Sequence, residues 1–372
     1  MNDTNGNIRV GHLFGIPFFI NPSWFLILGL VTFSYGSNLS LSFPTLGGAL
    51  PWILGLVAAL LLFASVLVHE LGHSLVALRQ GINVRSITLF LFGGVASLDK
   101  ESSTPAQSFW VAIAGPLVSL TLFGILVSLE VSLPVESPLT AVVGLLATIN
   151  LILAVFNLLP GLPLDGGNIL KSIVWKITGN PYRGVIIAGR SGQVLGGLGI
   201  LTGVVPLVLA GSFANIWNLL IGWFLLRNAS LSVRNGQLQN QLSQLTVSDA
   251  LSEGGPVISS ALNLREFANQ FVIGQGQWQR FWVVNEEGVF LGVLQVEDLK
   301  TIPTDLWPQT PVTELVQTYT GPDPISPQLS LLEVANLLEQ EHSDGVPVVD
   351  ENHLFRGWLG KKGIRQALQG RV

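Results

Sequence analysis

The chain has no cysteine, and only 11% of its 372 residues are charged. The absence of cysteine excludes a disulfide framework, a thiolate zinc site, an iron–sulfur cluster and a cysteine nucleophile. A soluble domain is usually about one-quarter charged, so a soluble globular protein is not expected. With 49% hydrophobic residues, disorder and a fibrous structure are excluded as well. The composition therefore predicts a membrane protein, and its length allows about two domains.

Charge divides the chain into two parts. Residues 1–234 carry ten Lys and Arg against seven Asp and Glu, whereas residues 235–372 carry eight against sixteen. We expect an apolar N-terminal domain over 1–234, a polar linker over 235–245, and an acidic, soluble C-terminal region. An acidic region does not suggest a nucleic-acid partner, because phosphate binding requires a basic surface.

The N-terminal domain contains six apolar stretches that we interpret as membrane spans. They are Pro22–Gly36, Pro51–Leu78, Gln107–Leu129, Leu139–Leu159, Val185–Ala210 and Phe213–Leu226. The basic residues lie in alternate loops between these spans. The positive-inside rule places those loops, together with both termini, in the cytoplasm. The expected location is the cell membrane, and no cleaved signal peptide is expected.

Two further apolar stretches do not resemble spans. Ile8–Ile20 is interrupted by glycine and proline, and Asn83–Leu98 alternates β-branched and aromatic residues as far as Gly93-Gly94. Alternation of this kind is typical of a strand or hairpin. The predicted fold is therefore a polytopic α-helical membrane domain with a small membrane-associated β element.

The second span contains the sequence HELGH at residues 69–73. Because residues i and i+4 lie on one helix face, His69 and His73 can meet one metal ion. Glu70 can then take a proton from a water molecule that the metal activates. The three side chains could instead face solvent at a helix end, but ionisable groups in membrane helices are costly and usually serve a function.

A catalytic zinc site normally has three protein ligands. Asp165 is the best third candidate, since it follows an apolar span in the sequence NLLPGLPLDGG, residues 157–167. Two prolines break the helix there, and two glycines permit close backbone approach. Asp165 could also cap a helix over Gly166–Ile177. His12 is the alternative third ligand.

HExxH followed by N-x-x-P-x-x-P-L-D-G resembles the site-2 protease family of intramembrane zinc metalloproteases, peptidase family M50. The two motifs stand at residues 69–73 and 157–166. Gly93-Gly94 and Ala114-Gly115-Pro116 are also usual in relatives, many of which have a basic residue where Asn168 stands here.

The resemblance implies a zinc metalloendopeptidase that cleaves a peptide bond in, or near, the transmembrane helix of a single-span substrate protein in the lipid bilayer. It implies one zinc ion, bound by His69, His73 and Asp165. The general base would be Glu70.

Two further roles follow from the resemblance alone. Asn157 would hydrogen-bond the substrate backbone or the developing oxyanion. The stretch Asn83–Leu98 would pair with an unwound substrate segment. The resemblance covers roughly residues 8–234.

The acidic region contains an internal repeat over residues 246–370. Val284 and Val349 recur at an offset of 65, and Glu266 and Glu333 at 67. Such duplication indicates two mutually packed units, which we place at 246–305 and 311–370. The repeat resembles a tandem of cystathionine-β-synthase-type (CBS) α/β domains, which implies that the units regulate or dimerise the protease.

Nucleotide binding by this pair is left open. The usual motif for adenine nucleotides is G-x-x-[ST]-x-x-D, and Gln295 replaces its hydroxyl residue in the first unit. In the second unit Gly360 and Gly363 replace both the hydroxyl and the acid. The alternative is a structural module that forms a homodimer.

Two other functions compete with proteolysis. One is a catalytically inactive membrane scaffold, which the intact motif residues oppose. The other is a CBS-regulated transporter, which would need ionisable or broken-helix sites over several spans. The sequence favours regulated intramembrane proteolysis.

Overall fold

The structure is a computed structural model that describes residues 6–90, 93–135, 137–251, 257–273 and 278–370. The chain forms two compact units, Met1–Gln237 and Leu238–Val372. The first unit consists of long helices with one small sheet. The second is an α/β unit of short elements.

In the part of the first unit that the structure describes, there are seven helices, and five of them are long and apolar enough to cross a membrane. They are α1 (Ser23–Ser42), α2 (Leu50–Arg79), α3 (Pro105–Ser132), α4 (Pro138–Asn157), α5 (Asp165–Thr178), α6 (Pro181–Ala210) and α7 (Ile216–Gln244). Among the described residues, the five are α1, α2, α3, α4 and α6. The sixth predicted span, Phe213–Leu226, corresponds to the first part of α7, whose later part is polar.

A row of glycines on α6 lets α7 pack closely against it. A Cβ atom at Gly203 would lie 2.7 Å from the Cβ of Leu219, and one at Gly189 would lie 2.6 Å from Val233 Cγ2. The partners advance along α7 as they retreat along α6, so the two helices are antiparallel. Close packing through small residues is typical of helices within membranes.

The outer surface of the bundle is apolar. Phe33, Ile125 and Leu209 are 67%, 59% and 82% exposed. A continuous apolar surface of this kind would be unfavourable in water, whereas lipid chains accept it. Together with the length of the helices, it identifies the chain as an integral membrane protein.

Local sequence signals fix the starts of three helices. The side chains of Thr104, Ser137 and Asn180 accept backbone N–H groups at the starts of α3, α4 and α6, each with proline just inside the helix. Asp165 does not cap its helix, which was the alternative role considered for it. Leu164 is the N-cap and Asp165 is the first helical residue, which leaves the carboxylate free to point elsewhere.

The small β element is confirmed, and it is larger than predicted. Its strands are β1 (Ile8–Leu13), β2 (Ile16–Ile20), β3 (Val84–Phe90) and β4 (Gly93–Leu98), in that order across the sheet. Strands β2 and β3 are parallel, whereas the other pairs are antiparallel. Strand β4 is therefore an edge strand of this sheet.

The second unit has the α/β composition expected of a CBS-domain pair. Its elements are α8 (Val247–Ala250), β5 (Val257–Ser259), α9 (Leu264–Phe267), β6 (Arg280–Val284), β7 (Phe290–Gln295), α10 (Leu331–Gln340), β8 (Gly345–Val349), β9 (Phe355–Gly360) and α11 (Lys361–Gln369). They form the sheets β5-β6-β7 and β8-β9.

The opening segments of the two repeats are exchanged. Val247, at the start of the first repeat (246–305), is buried in the core that contains Leu331 and Val346 of the second repeat. Val312, from the start of the second, is buried in the core that contains Phe281. Each core thus takes a segment from the other repeat, which ties the two repeats into one unit.

The boundary between the two compact units follows Gln237, within the predicted polar linker over 235–245. This run is helical as far as Gln244, where α7 ends. Leucine and glutamine are good helix formers. Leu242 also contributes to a core of the second unit, which gives this turn of the helix an apolar contact.

Candidate metal centre and active site

Helix α2 presents two imidazole rings one turn apart. The Nε2 atoms of His69 and His73 lie 3.3 Å from each other. The Nδ1 atom of His69 is 2.9 Å from Ser119 Oγ, and that of His73 is 2.7 Å from the carbonyl oxygen of Val111. Because a carbonyl oxygen only accepts hydrogen bonds, Nδ1 of His73 carries the proton and its Nε2 presents a lone pair.

Asp165 completes a nearly equilateral triangle of donor atoms. Its Oδ2 lies 3.2 Å from His69 Nε2 and 3.3 Å from His73 Nε2. Three ligands about 2.0–2.1 Å from one zinc ion in a tetrahedron stand about 3.3–3.4 Å apart. The two nitrogens and one oxygen therefore fit zinc in both spacing and donor type.

The structure brings the three predicted ligands together and separates the alternative from them. Within the described residues, His69, His73 and Asp165 are the group of three side chains that could hold a metal. His12 lies on β1, outside this group.

Gly115 of α3 leaves the space in which a metal would sit. A Cβ atom there would lie 2.2 Å from His73 Nε2 and 2.7 Å from His69 Nε2. Any larger side chain would therefore fill the triangle from one side. The sequence contained this residue only as part of Ala114-Gly115-Pro116, and its contact with both imidazoles is visible only in the folded chain.

Glycines also hold the segment that delivers Asp165. A Cβ atom at Gly166 would lie 2.2 Å from the carbonyl oxygen of Leu158, so the chain folds back on itself there. A Cβ atom at Gly192 of α6 would lie 2.0 Å from the carbonyl oxygen of Leu162. This segment is thus seated on α6, and the glycine on α6 was not singled out from the sequence.

Glu70 and Asn157 line the same cavity as the three ligands. The cavity has a volume of about 350 Å³. An ideal Cβ at Gly94 would lie 2.5 Å from Glu70 Cγ, so β4 passes directly over the glutamate. In the described part of the chain, no side chain or backbone group hydrogen-bonds the amide of Asn157, which leaves it available to a substrate.

In the second unit, the acid of the first nucleotide motif is already engaged. Asp298 Oδ2 accepts hydrogen bonds from the backbone N–H of Gln295 and from Gln317 Nε2, at 3.3 and 3.1 Å. Gln295 Nε2 in turn donates to Gln317 Oε1 at 3.3 Å. Gln295, which departs from the motif, thus takes part in the hydrogen bonds around the Asp298 carboxylate, the group that would bind a ribose.

An aromatic cluster fills the space between the two repeats. Trp282 and Trp358 stack with centroids 4.2 Å apart, and Phe290 and Phe355 stack at 5.0 Å. Tyr319 packs edge-on against Trp358. Burial raises the pKa of the Tyr319 hydroxyl, which donates to the carbonyl oxygen of Gly345.

The geometry agrees with comparisons to known proteins. The model for peptidase family M50 matches residues 57–135 and 132–194, and the CBS-domain model matches residues 308–370. A Synechocystis sp. protein is 54% identical over 98% of this chain and 96% of its own length. A Mycobacterium tuberculosis protein, Rip3, is 33% identical over 79% of this chain and 76% of its own length. Both carry the name "Putative zinc metalloprotease".

Among solved structures, the site-2 protease from Methanocaldococcus jannaschii is 30% identical to this chain. That match covers 61% of this chain and 95% of the archaeal one, with a TM-score of 0.45. By its relatives and its family model, the chain belongs to peptidase family M50, the site-2 protease type of zinc metalloprotease, and it carries a CBS domain over residues 308–370.

The engagement of Asp298 predicts that the full-length protein does not bind adenine nucleotides tightly. Loss of one charge-assisted hydrogen bond commonly lowers affinity by roughly ten- to a hundredfold. Calorimetric titration of the detergent-solubilised protein with AMP and ATP should show no binding in the micromolar range. A micromolar dissociation constant for either nucleotide would contradict this prediction.

Gly115→Ala should lower zinc affinity, because the new methyl group would occupy the space between the two imidazoles. A disturbance next to a metal ligand typically costs about 10–100-fold in affinity. Zinc content and competition with a chelator would measure the change.

Gly124→Ala is the matched control for Gly115→Ala. It places the same methyl group on the same helix, where nothing lies within 4 Å. This variant should keep zinc at the wild-type level. Equal zinc affinity in the two variants would remove Gly115 from the site.

Proposed function

We propose that the chain hydrolyses a peptide bond in, or near, the transmembrane segment of a single-span membrane protein. The observation that carries the proposal is the triangle of His69, His73 and Asp165 in one cavity with Glu70 and Asn157. Polar groups gathered at one point of an apolar bundle support hydrolysis over an inactive scaffold. A transporter would distribute such groups along a path between spans.

Each of these residues has a separate role in the proposed reaction. A zinc ion bound by His69, His73 and Asp165 would supply Lewis acidity, which activates water and polarises the scissile carbonyl. Glu70 takes the proton of the attacking water and returns it to the leaving amine. The amide of Asn157 donates a hydrogen bond to the oxyanion as charge develops on it.

A substrate helix must unwind before it can react, because its carbonyl groups are bonded within the helix. Strand β4 supports a place for the unwound segment. It is an edge strand, four of its residues line the cavity, and Gly94 lies against Glu70. Addition of the substrate as a further strand would satisfy backbone groups and lay the scissile bond beside the general base.

We propose that the metal centre faces the cytoplasmic side of the cell membrane. His73 lies near the end of α2, which ends at Arg79 and is followed by Arg85, and α5 carries Lys171 and Lys176. The positive-inside rule places these basic ends in the cytoplasm. The close antiparallel pairing of α6 and α7 supports a sixth crossing, and therefore cytoplasmic termini.

The CBS pair is proposed to act as a regulatory or dimerising module of the protease. The filled space between its repeats supports a structural role over nucleotide sensing. A homodimer would form through this pair, as the resemblance to CBS domains implies.

Glu70→Gln should fold and keep its zinc but lose hydrolysis. General-base catalysis typically contributes about 10²–10⁴-fold, so the rate of hydrolysis should fall by at least about 10²-fold. The measurement is cleavage of a single-span substrate in detergent or liposomes, together with metal analysis.

His69→Ala and Asp165→Ala are the comparison variants, and both should lose zinc and activity together. Glu70→Gln activity within a few-fold of the wild type would refute the general-base role. Undiminished zinc in either ligand variant would exclude that residue as a ligand.

A reporter fused after Arg183 should score as cytoplasmic, since it follows the basic residues of α5. A reporter fused at Gly211, between α6 and α7, should score as extracytoplasmic. Activity of paired alkaline phosphatase and fluorescent-protein fusions distinguishes the two locations. The reverse result at Arg183 would overturn the orientation.

A further inference from the structure

One lysine reaches the active-site cavity. Within the described residues, Lys171 is the lysine or arginine that lines the cavity containing His69 and Glu70. Its Nζ lies 3.1 Å from Oε2 of Glu101, which also lines the cavity. Neither the metal ligands nor the proposed general base uses this ion pair.

The two partners differ in how firmly they are held. The side chain of Lys171 is only 15% exposed, whereas that of Glu101 is 84% exposed. The backbone of Lys171 is seated on α6, because a Cβ at Gly184 would lie 2.5 Å from its carbonyl oxygen. Glu101 lies in the loop between β4 and α3. The glutamate can therefore leave into solvent while the ammonium stays in the cavity wall.

An ammonium group left in the wall would need another anion. A buried charge without a partner is unfavourable, and a carboxylate entering the cavity would restore the pair. A charge-assisted hydrogen bond to a carboxylate is stronger than one to a neutral group. The site is thus built to exchange its own carboxylate for one from a bound molecule.

The position of Lys171 on α5 gives its approximate spacing along the helix from the candidate ligand Asp165. Asp165, Asn168, Lys171 and Trp175 follow one another at helical spacing and line the cavity on one face of α5. Lys171 is six positions after Asp165, which corresponds to a rise of about 9 Å along the helix axis. An extended peptide covers that length in about three residues.

We propose that Lys171 is a specificity-determining residue that binds an acidic side chain of the substrate about three residues from the scissile bond, and that Glu101 occupies this position until the substrate arrives. The inference rests on the proposed function, because it assigns a substrate class to that same site. Lys171 would favour, among membrane proteins, those with Asp or Glu near the cleavage point.

The test uses one single-span substrate whose cleavage site has first been located by mass spectrometry of the products. Glu, Gln or Lys is placed at the third residue on each side of the scissile bond. The wild-type enzyme should show about a tenfold lower KM for Glu than for Gln at one of the two positions, with little change in kcat.

Variants of the ion pair should move this preference in opposite directions. Lys171→Glu should favour Lys over Glu at that position while still cleaving the Gln substrate. Glu101→Gln should lower the KM for the Glu substrate further, because the internal competitor is gone. Lys176→Glu is the matched control: the same charge change on the same helix, at a residue that lines a neighbouring apolar groove rather than the cavity. It should keep the wild-type order.

Binding provides a second measurement that does not depend on turnover. Fluorescent Glu and Gln substrates are titrated against zinc-loaded Glu70→Gln protein, with and without Lys171→Gln. If the Glu substrate binds more tightly than the Gln substrate by the same factor with and without Lys171, the inference is overturned, whether or not cleavage occurs. Absence of zinc-dependent cleavage of every substrate by the wild type would instead overturn the proposed function.

Discussion

The convergence of two imidazole nitrogens and one carboxylate oxygen, 3.2–3.3 Å apart, is the constraint on which the first unit depends. These atoms come from α2 and α5, which are far apart in sequence. Polar groups inside an apolar bundle are unfavourable unless they are paired or bound to a metal. The bundle must therefore bring α2, α3 and α5 together at one point, and the rest of the helices are arranged around it.

Small residues make that convergence sterically feasible. Gly115 lies against both histidines, Gly94 against Glu70, and Gly192 against the segment that delivers Asp165. At each position a methyl group would collide with a candidate site residue or with the backbone that supports one. Membrane helices gain little from the hydrophobic effect in packing against one another, so close backbone approach is a main source of their association.

The second unit obtains its cohesion differently. Its two cores exchange their opening segments, with Val247 in one and Val312 in the other. Stacked pairs of tryptophan and phenylalanine then fill the space between the repeats. Asp298 accepts hydrogen bonds from Gln295 and Gln317 within the same unit, which is consistent with a module that holds its shape without a ligand.

The sequence by itself determined the class of protein, the approximate positions of the apolar helices and the histidine pair of HExxH, because apolar length and HExxH spacing are local properties of the chain. It also predicted the strands before and after α2 in outline. Only the tertiary structure decided that Asp165 rather than His12 joins the two histidines, that residues 235–244 are helical, and that the repeats exchange segments. Lys171 and Glu101 are 70 residues apart, and no local pattern marks them as a pair. Contacts of this kind depend on how helices pack, and packing is set by shape complementarity between distant segments rather than by the order of residues within one of them.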